Sequence, residues 1–476
     1  MKVLLINTNR HDQPFPVMPL GVCMVAEAVE QAGHEVRVLD LMFQADAAIS
    51  LRRALLSDHS DIVGLSIRNI DNNDMRSPVF FISEVPDLIR MIREYSGARI
   101  VIGGAAVGVM PEEILRFTGA DYAVTGDGEY VMPEFLNRIE KGCESTTPGT
   151  ARIDNSRYVA NPRSDATFSG ACRIPDFSRW LDVRAYLSRM STVPVQTKLG
   201  CRYKCVYCTY RKIEGETYRL YSPERVVETV QRLVSQGLKD IEFVDNVFNS
   251  PYEHAMEICR LLKKARHGAR LQSLELNPLF VDDALIDAME EAGFVGVGIT
   301  AESASGNVLK GLGKAFTVKE VHNAASVIER HRIPCIWIFL LGGPGETKQT
   351  VEETFYFAER HIRPKDAVFF NIGVRVYPGT ELETIAREQR VLAAPPREML
   401  KPVFYISPDV DADWLSERTS EFVRTHMNVI DSTSLGLPFL PGLHKLGYSL
   451  GLKPPLWRHT PAIRRLLKYT GFYSYA

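Results

Sequence analysis

Little in this chain of 476 residues points to export or to a membrane. Cysteine is scarce, at eight residues, too few for a disulfide framework in a chain of this size. No apolar run approaches the roughly 18 residues of a transmembrane helix. The start, MKVLLINTNR, has one lysine and four consecutive apolar residues. It reads as a buried first strand, too short an apolar run for a signal peptide. A reducing cytoplasm is the expected compartment. A dominant charge is also lacking: the net charge of −2 gives no global case for nucleic-acid binding. There is no convincing internal repeat or low-complexity tract. At 45% hydrophobic and 24% charged residues, the composition is that of a folded protein of two or three domains.

What is present is organised α/β sequence. Residues 1–140 alternate short apolar runs with helical periodicity: VLLIN (3–7), PLGVCMVAEAVEQAGHEV (19–36), VRVLD (36–40), DIVGLSI (61–67), RIVIGG (99–104) and ADYAVTGDG (120–128). That alternation predicts a doubly wound, Rossmann-like parallel sheet, with ligands at the carboxyl ends of its strands. No G-x-G-x-x-G follows the first strand, so a dinucleotide fingerprint is missing. Residues 141–190 turn polar and read as a linker with a small hairpin. Over 191–390 the alternation resumes. Six strand candidates (VPVQTKLG, IEFVDN, LQSLEL, VGVGITAE, CIWIFLLGG and AVFFNIGVRV) suit a partial (β/α)6 barrel of the TIM type. Cys201, Asp245, Glu302 and Glu346 fall at or just after strand ends, where such barrels keep their chemistry. Residues 391–476 read as a mainly helical carboxy-terminal extension.

Three of the eight cysteines crowd into LGCRYKCVYCTY (199–210): Cys201, Cys205 and Cys208. A structural zinc site wants four ligands, and no His or fourth Cys lies nearby in sequence. Three thiolates suit a 4Fe–4S cluster with one iron left open.

This stretch resembles the radical S-adenosylmethionine (SAM) superfamily and its CxxxCxφC signature, with Tyr207 as the aromatic residue. The resemblance runs through the barrel. It implies that the open iron chelates the amino and carboxylate groups of SAM. Reductive cleavage would release a 5′-deoxyadenosyl radical, with an electron donor such as flavodoxin or ferredoxin as partner. By position, Asp245 in IEFVDNVFN would accept the methionine amino group, although the stretch is not the literal GGE of the family. Glu302 and Ser303 in GITAESAS would lie near the carboxylate and ribose. Gly342, Gly343 and Glu346 in LLGGPGETKQT would pack beside adenine, as would Tyr207. RVYPGTELE (375–383) resembles the tail of the sixth strand. Each match also has a structural reading: Asp245 as a helix cap, Glu302 as a surface carboxylate, and Glu346 in a favourable first helical turn.

The amino-terminal region resembles the cobalamin-binding subfamily, through residues 19–40, DIVGLS (61–66), VIGGAAV (101–107) and GDGEY (126–130). The resemblance implies a corrin cradled by strand-end loops. Gly103 and Gly104 would allow close approach, Ser66 would lie near the nucleotide tail, and Gly126 and Glu129 would close the far side. A DxHxxG cobalt-ligating motif is not matched: NRHDQP supplies His11 without the Asp and Gly, so His11 reads as a solvated loop histidine. Arg68, in SIRNID, is the competing lower-face residue. It would not ligate cobalt and would disfavour an axial ligand; its structural alternative is an ion pair with Asp71 or Asp74.

Cobalamin combined with radical SAM chemistry implies methylation of an unactivated carbon. One SAM would remethylate the cobalt and a second would generate the radical. The alternatives are a cobalamin-dependent cyclisation or rearrangement without methyl transfer, and a noncatalytic sensor. Methylthiolation would need a second cluster, for which Cys23, Cys143 and Cys172 are too scattered. After Asp431 there is no acidic residue, while Lys445, Lys453, Arg458, Arg464, Arg465 and Lys468 follow. They are interspersed with Trp457, Tyr469, Phe472, Tyr473 and Tyr475. This extension would cover the open side of the barrel, and its character suits a small anionic or lipid-like substrate or a shallow membrane contact.

Overall fold

A computed structural model describes residues 1–163, 174–430, 435, 437 and 439–469. Cys172 and the aromatics Phe472, Tyr473 and Tyr475 lie outside the described residues.

Seven strands form the first sheet: β1 (Lys2–Asn7), β2 (Glu35–Asp40), β3 (Ile62–Ser66), β4 (Arg99–Gly103), β5 (Tyr122–Val124), β6 (Thr150–Asp154) and β7 (Arg157–Ala160), in the order β2-β1-β3-β4-β5-β6-β7. The first five are parallel, and the interior residues of β1, β3 and β4 are apolar on both faces, as sequence runs such as VLLI require. This is the doubly wound sheet that the sequence predicts. Its order reverses between β1 and β3, so their carboxyl ends flank the crevice where such sheets bind ligands.

The hairpin expected between residues 141 and 190 forms as β6 and β7, but it is not a free-standing linker element. It pairs antiparallel with β5 and covers that short edge. Asn155 and Ser156 turn it with φ of 46° and 67°, the left-handed pair that a two-residue hairpin demands.

The second sheet contains all six predicted strands. They are β8 (Val193–Val195), β11 (Asp240–Phe243), β12 (Arg270–Leu276), β13 (Phe294–Glu302), β14 (Cys335–Leu341) and β15 (Ala367–Ile372), parallel and in sequence order. Between them lie the short antiparallel pair β9 (Lys198–Leu199) with β10 (Arg219–Leu220). After β15, β16 (Val374–Arg375) pairs with β17 (Phe404–Tyr405). A seventh parallel strand, β18 (Val429–Ile430), comes from the carboxy-terminal extension and pairs with β15. The result is an open, partial barrel.

Alternation along β14 sorts its two faces. Trp337 and Phe339 meet Phe357 of the helix Lys348–His361, with ring centroids 6.0 and 6.1 Å apart. Ile336, from the other face, joins Leu437, Leu440, Leu456 and Trp457 of the carboxy-terminal segment in a separate apolar cluster. Trp457 lies so close to β13 that a Cβ on Gly296 would stand 3.2 Å from its ring. The extension therefore packs on the barrel.

Candidate functional site

The cysteine loop leaves β9 through Gly200, whose φ is +86°. A side chain there would place its Cβ 2.1 Å from the Thr217 carbonyl oxygen, so only glycine fits. The loop is held by its backbone. The N–H of Cys201 donates to the Gly215 carbonyl at 3.1 Å, and that of Val206 to Leu312 at 3.1 Å. The Val206 carbonyl in turn accepts from the N–H of Leu382 at 2.9 Å. Val206 is buried, which anchors the peptide between Cys205 and Tyr207.

Cys201 is buried, and Cys205 and Cys208 are half-buried. Burial pushes the Cys201 thiol up and the Cys208 thiol to about 12. Such thiols are poor nucleophiles until a metal replaces the proton. The three thiols act electrostatically on one another. Among the described residues, no three His, Cys, Asp or Glu side chains converge to hold a single metal ion. A four-iron cluster binds each thiolate to its own iron, so its ligands stand apart. The donor set fits a cluster and not a lone zinc.

Beside this loop lies a buried triad. The Tyr207 hydroxyl donates to Glu302 Oε1 at 2.5 Å, and Lys314 Nζ donates to the same oxygen at 2.7 Å and to the Tyr207 oxygen at 2.9 Å. Burial, then the Glu302 charge, pushes the Tyr207 phenol well above its usual range. Burial opposes the Lys314 charge, but Glu302 and then Tyr207 hold it well above the usual lysine range. Glu302 itself sits at φ +63°, where β13 slips register against β14. A bulge with a left-handed non-glycine residue is a costly way to aim a side chain, and such strain gathers at functional sites.

Three other sequence-selected residues are engaged by the fold. Asp245, with its side chain fully buried, accepts from Thr197 N–H and Oγ1, both at 2.7 Å, and from Lys198 N–H at 3.2 Å. Its ion pair with Lys198 Nζ is 3.4 Å. It fixes the turn that splits the expected strand VPVQTKLG into β8 and β9. The Ser303 hydroxyl meets Thr354 Oγ1 at 3.2 Å and accepts from Ser305 N–H at 3.1 Å. Glu346 accepts from Gly342 N–H at 3.1 Å and from Thr350 Oγ1 at 2.6 Å. Burial raises the Glu346 carboxyl to about 7. A Cβ on Gly343 would approach Leu312 to 2.9 Å, so this turn is shaped for packing.

Sequence order did not single out the carboxylates that face the interior. Glu214 accepts from Gly200 N–H at 3.1 Å and Asn246 Nδ2 at 2.6 Å, and burial raises it to about 7. Glu242 on β11 accepts from Thr192 and Gln272, both at 2.6 Å. The Glu275 side chain on β12 makes no hydrogen bond or ion pair among the described residues, while its carbonyl accepts from Phe248 N–H at 2.8 Å. Burial, then the Glu302 charge, raises its carboxyl to about 8. Nothing local in LQSLELN marks it; only the packing of neighbouring strands does.

On the first sheet, the Ile67 N–H donates to Gly103 and its carbonyl accepts from Ala106 N–H, at 2.8 and 3.2 Å. A Cβ on Gly104, at φ +99°, would lie 2.5 Å from that carbonyl oxygen. The close approach that Gly104 permits is thus to Ile67, which sets the direction of Arg68. Ser66, at the end of β3, accepts through its carbonyl from the Thr8 hydroxyl at 2.9 Å. Gly126 packs against Gly149 and Val131, while Glu129 lines a cleft with Glu27, Arg225 and Arg232 between two helices. His11 stacks on Phe81, centroids 3.7 Å apart.

Arg68 makes no ion pair with Asp71 or Asp74. Asp71 belongs to Arg375, at 2.9 Å, in a buried bridge between the two sheets' domains. Arg68 and Tyr210 are open to a solvent-sized contact yet enclosed by surrounding protein. Burial lowers the Arg68 pKa, and the charges it feels are Tyr210 and Glu242, both of the barrel region. The carboxyl end of β3 therefore lies within electrostatic reach of the barrel's Glu242 and Tyr210.

The comparisons agree with this division of labour. Residues 195–358 match the model of the radical SAM superfamily, and residues 10–136 match that of the B12 binding domain. The chain is a radical SAM enzyme with an amino-terminal B12-binding domain. The cofactors of that class are a 4Fe–4S cluster, SAM and cobalamin. Over 373 residues it is 28% identical to "Uncharacterized methyltransferase PH0819" of Pyrococcus horikoshii, covering 76% of this chain and 77% of that protein. Over 451 residues it is 23% identical to tryptophan 2-C-methyltransferase of Streptomyces laurentii, covering 81% and 74%. Its fold matches that of the radical SAM methyltransferase TsrM from Kitasatospora setae, solved with tryptophan and a SAM analogue. The TM-score is 0.86 at 23% identity, covering 99% of both chains. Among the described residues, no helix is long and apolar enough to cross a membrane.

Proposed function

We propose that this protein methylates an unactivated carbon of a small molecule. The observation that carries the proposal is the approach of the two domains. Arg68 of the B12-binding domain lies within electrostatic reach of Tyr210 and Glu242 of the barrel, and Tyr210 within reach of Glu275. When bound, the cluster and SAM supply a carbon-centred radical and cobalamin supplies a transferable methyl group.

The chain's own residues bind, orient and exclude water. Cys201, Cys205 and Cys208 hold the cluster on their anchored loop. The Lys314 cation, within electrostatic reach of all three thiols, offsets their negative charge. Tyr207 and Glu302 present a preorganised polar edge to SAM. Asp245, Ser303, Gly342, Gly343 and Glu346 act one step back, by shaping the turns that frame that site. Ser66, Gly103, Gly104 and Gly126 shape the corrin cradle. Arg68, which makes no ion pair among the described residues, would face the bound corrin and would offer cobalt no ligand. His11 is held by Phe81. Glu275 is the uncommitted group and meets the substrate or its water. An acidic one-electron carrier such as flavodoxin or ferredoxin supplies electrons.

Anaerobic reconstitution tests this reading. Both 5′-deoxyadenosine and S-adenosylhomocysteine are expected on incubation with SAM, reductant and cell extract from a strain lacking the protein. Deoxyadenosine alone would move the assignment to cyclisation or rearrangement. The anaerobic magnesium-protoporphyrin IX monomethyl ester cyclase of Rubrivivax gelatinosus, 23% identical over 378 residues, makes that second reading worth the assay. Cys201→Ala should abolish deoxyadenosine formation and leave cobalamin binding intact.

A further inference from the structure

The helix Leu440–Ser449 is apolar on two sides. Its inner side, through Leu440, His444 and Gly447, is buried against the protein. Its outer side is not covered by the described residues. Phe439, Leu446 and Leu450 are exposed by 89%, 53% and 73%, with Leu443 partly buried between them. The spacing 443, 446, 450 places three leucines on one face of the helix, and Phe439, at φ +53°, immediately precedes it. A surface helix normally turns charged residues outward, so an outward apolar stripe marks an interaction surface. None of the cofactor-site residues lies on this helix.

Charge distinguishes among possible occupants. Lys445 and Lys453 flank the stripe, are exposed, and have no ion pair among the described residues. No Asp or Glu occurs from residue 432 to the end. Tyr448, exposed by 46%, adds an amphipathic ring beside Lys445. The helix Thr460–Tyr469, which shares the same small apolar core through Ile463 and Leu467, adds exposed Leu466 and Lys468. Apolar side chains with flanking lysines and an interfacial aromatic suit the boundary of an anionic bilayer, where the chains enter and the ammonium groups meet headgroups. An acidic protein partner would match the lysines, but four bulky apolar groups on a convex helix need a surface that can deform around them.

We propose that this carboxy-terminal helix docks the protein onto the surface of a membrane containing anionic phospholipid. Phe439, Leu446 and Leu450 would insert at the headgroup boundary, and Lys445 and Lys453 would pair with lipid phosphates. The docking is peripheral, and it does not depend on the proposed methyl transfer.

Sedimentation of the full chain with vesicles tests it, without cofactors or substrate. The protein is expected to pellet with phosphatidylcholine–phosphatidylglycerol vesicles, less with phosphatidylcholine alone, and less as salt rises. Each lysine removed should weaken binding by roughly fivefold, so Lys445→Gln/Lys453→Gln should erase most of the anionic preference. Leu446→Glu/Leu450→Glu should abolish pelleting with an unchanged melting temperature, since both side chains are exposed. Wild-type protein that pellets with neither vesicle, or a double glutamate variant that pellets equally well, overturns the proposal. So does a wild-type dimer in analytical ultracentrifugation that the glutamates dissociate, which would make the stripe a contact between copies.

Discussion

Lys314 supplies the counter-charge to Glu302 inside the barrel, at 2.7 Å. Both side chains are at most 9% exposed, and the lysine also reaches Tyr207. Lys314→Met should therefore destabilise the apoprotein by about 3 kcal/mol, because it strands a buried carboxylate. Adding Glu302→Gln should recover much of that loss, which paired denaturant titrations can measure. Glu275 behaves differently, because among the described residues no cation or hydrogen-bond donor meets its side chain. Its carboxyl rises from the ordinary 4.5 to about 8 in the folded chain, chiefly through burial. Between those values the folded state keeps a proton that the unfolded chain has released, so stability falls as pH rises through the window. Glu275→Gln should thus match the wild type below about pH 4.5 and melt at a higher temperature above about pH 8. Neither residue was legible in the sequence, where they are two of 114 charged side chains (56 basic and 58 acidic) with no local mark.

At the scale of elements, the cysteine loop was legible because its information is local. Spacing alone put three thiols together, and Gly200 precedes them for a reason that the fold makes plain. Gly200→Ala combines a left-handed backbone, which costs a non-glycine residue about 1–2 kcal/mol, with a Cβ 2.1 Å from the Thr217 carbonyl. Reconstituted Gly200→Ala should bind less iron and sulfide per chain than wild type, while cobalamin uptake stays near normal. The strand-end residues were half legible. Their positions at turns follow from the βα pattern, but whether a carboxylate faces a ligand or the chain's own N–H groups depends on the next strand. Asp245 and Glu346 turn back to the backbone; Glu302 does not, because a register slip and a positive φ rotate it inward.

The whole molecule depends on how the two sheets meet. Arg375 inserts into the loop after β3, pairs with Asp71 at 2.9 Å and donates to the carbonyls of Val376 and Met399 at 2.7 and 2.8 Å. The Tyr377 hydroxyl reaches Asn73 at 3.0 Å. This clasp holds the segment that carries Arg68. Asp71→Ala leaves a buried guanidinium short of its counter-charge and should cost about 3–5 kcal/mol. Cobalamin affinity should fall with it, as followed by absorbance titration. In sequence the partners are 304 positions apart, and RVYPGTELE reads only as a strand tail.

The sequence by itself determined the two α/β regions, the six barrel strands and the three-thiol loop, because periodicity and spacing are properties of neighbouring residues. Tertiary structure decided which carboxylates the fold engages, which barrel groups Arg68 meets, and where the hairpin and the extension attach. Those depend on what one strand or domain places opposite another, and burial and charge compensation arise only at that contact.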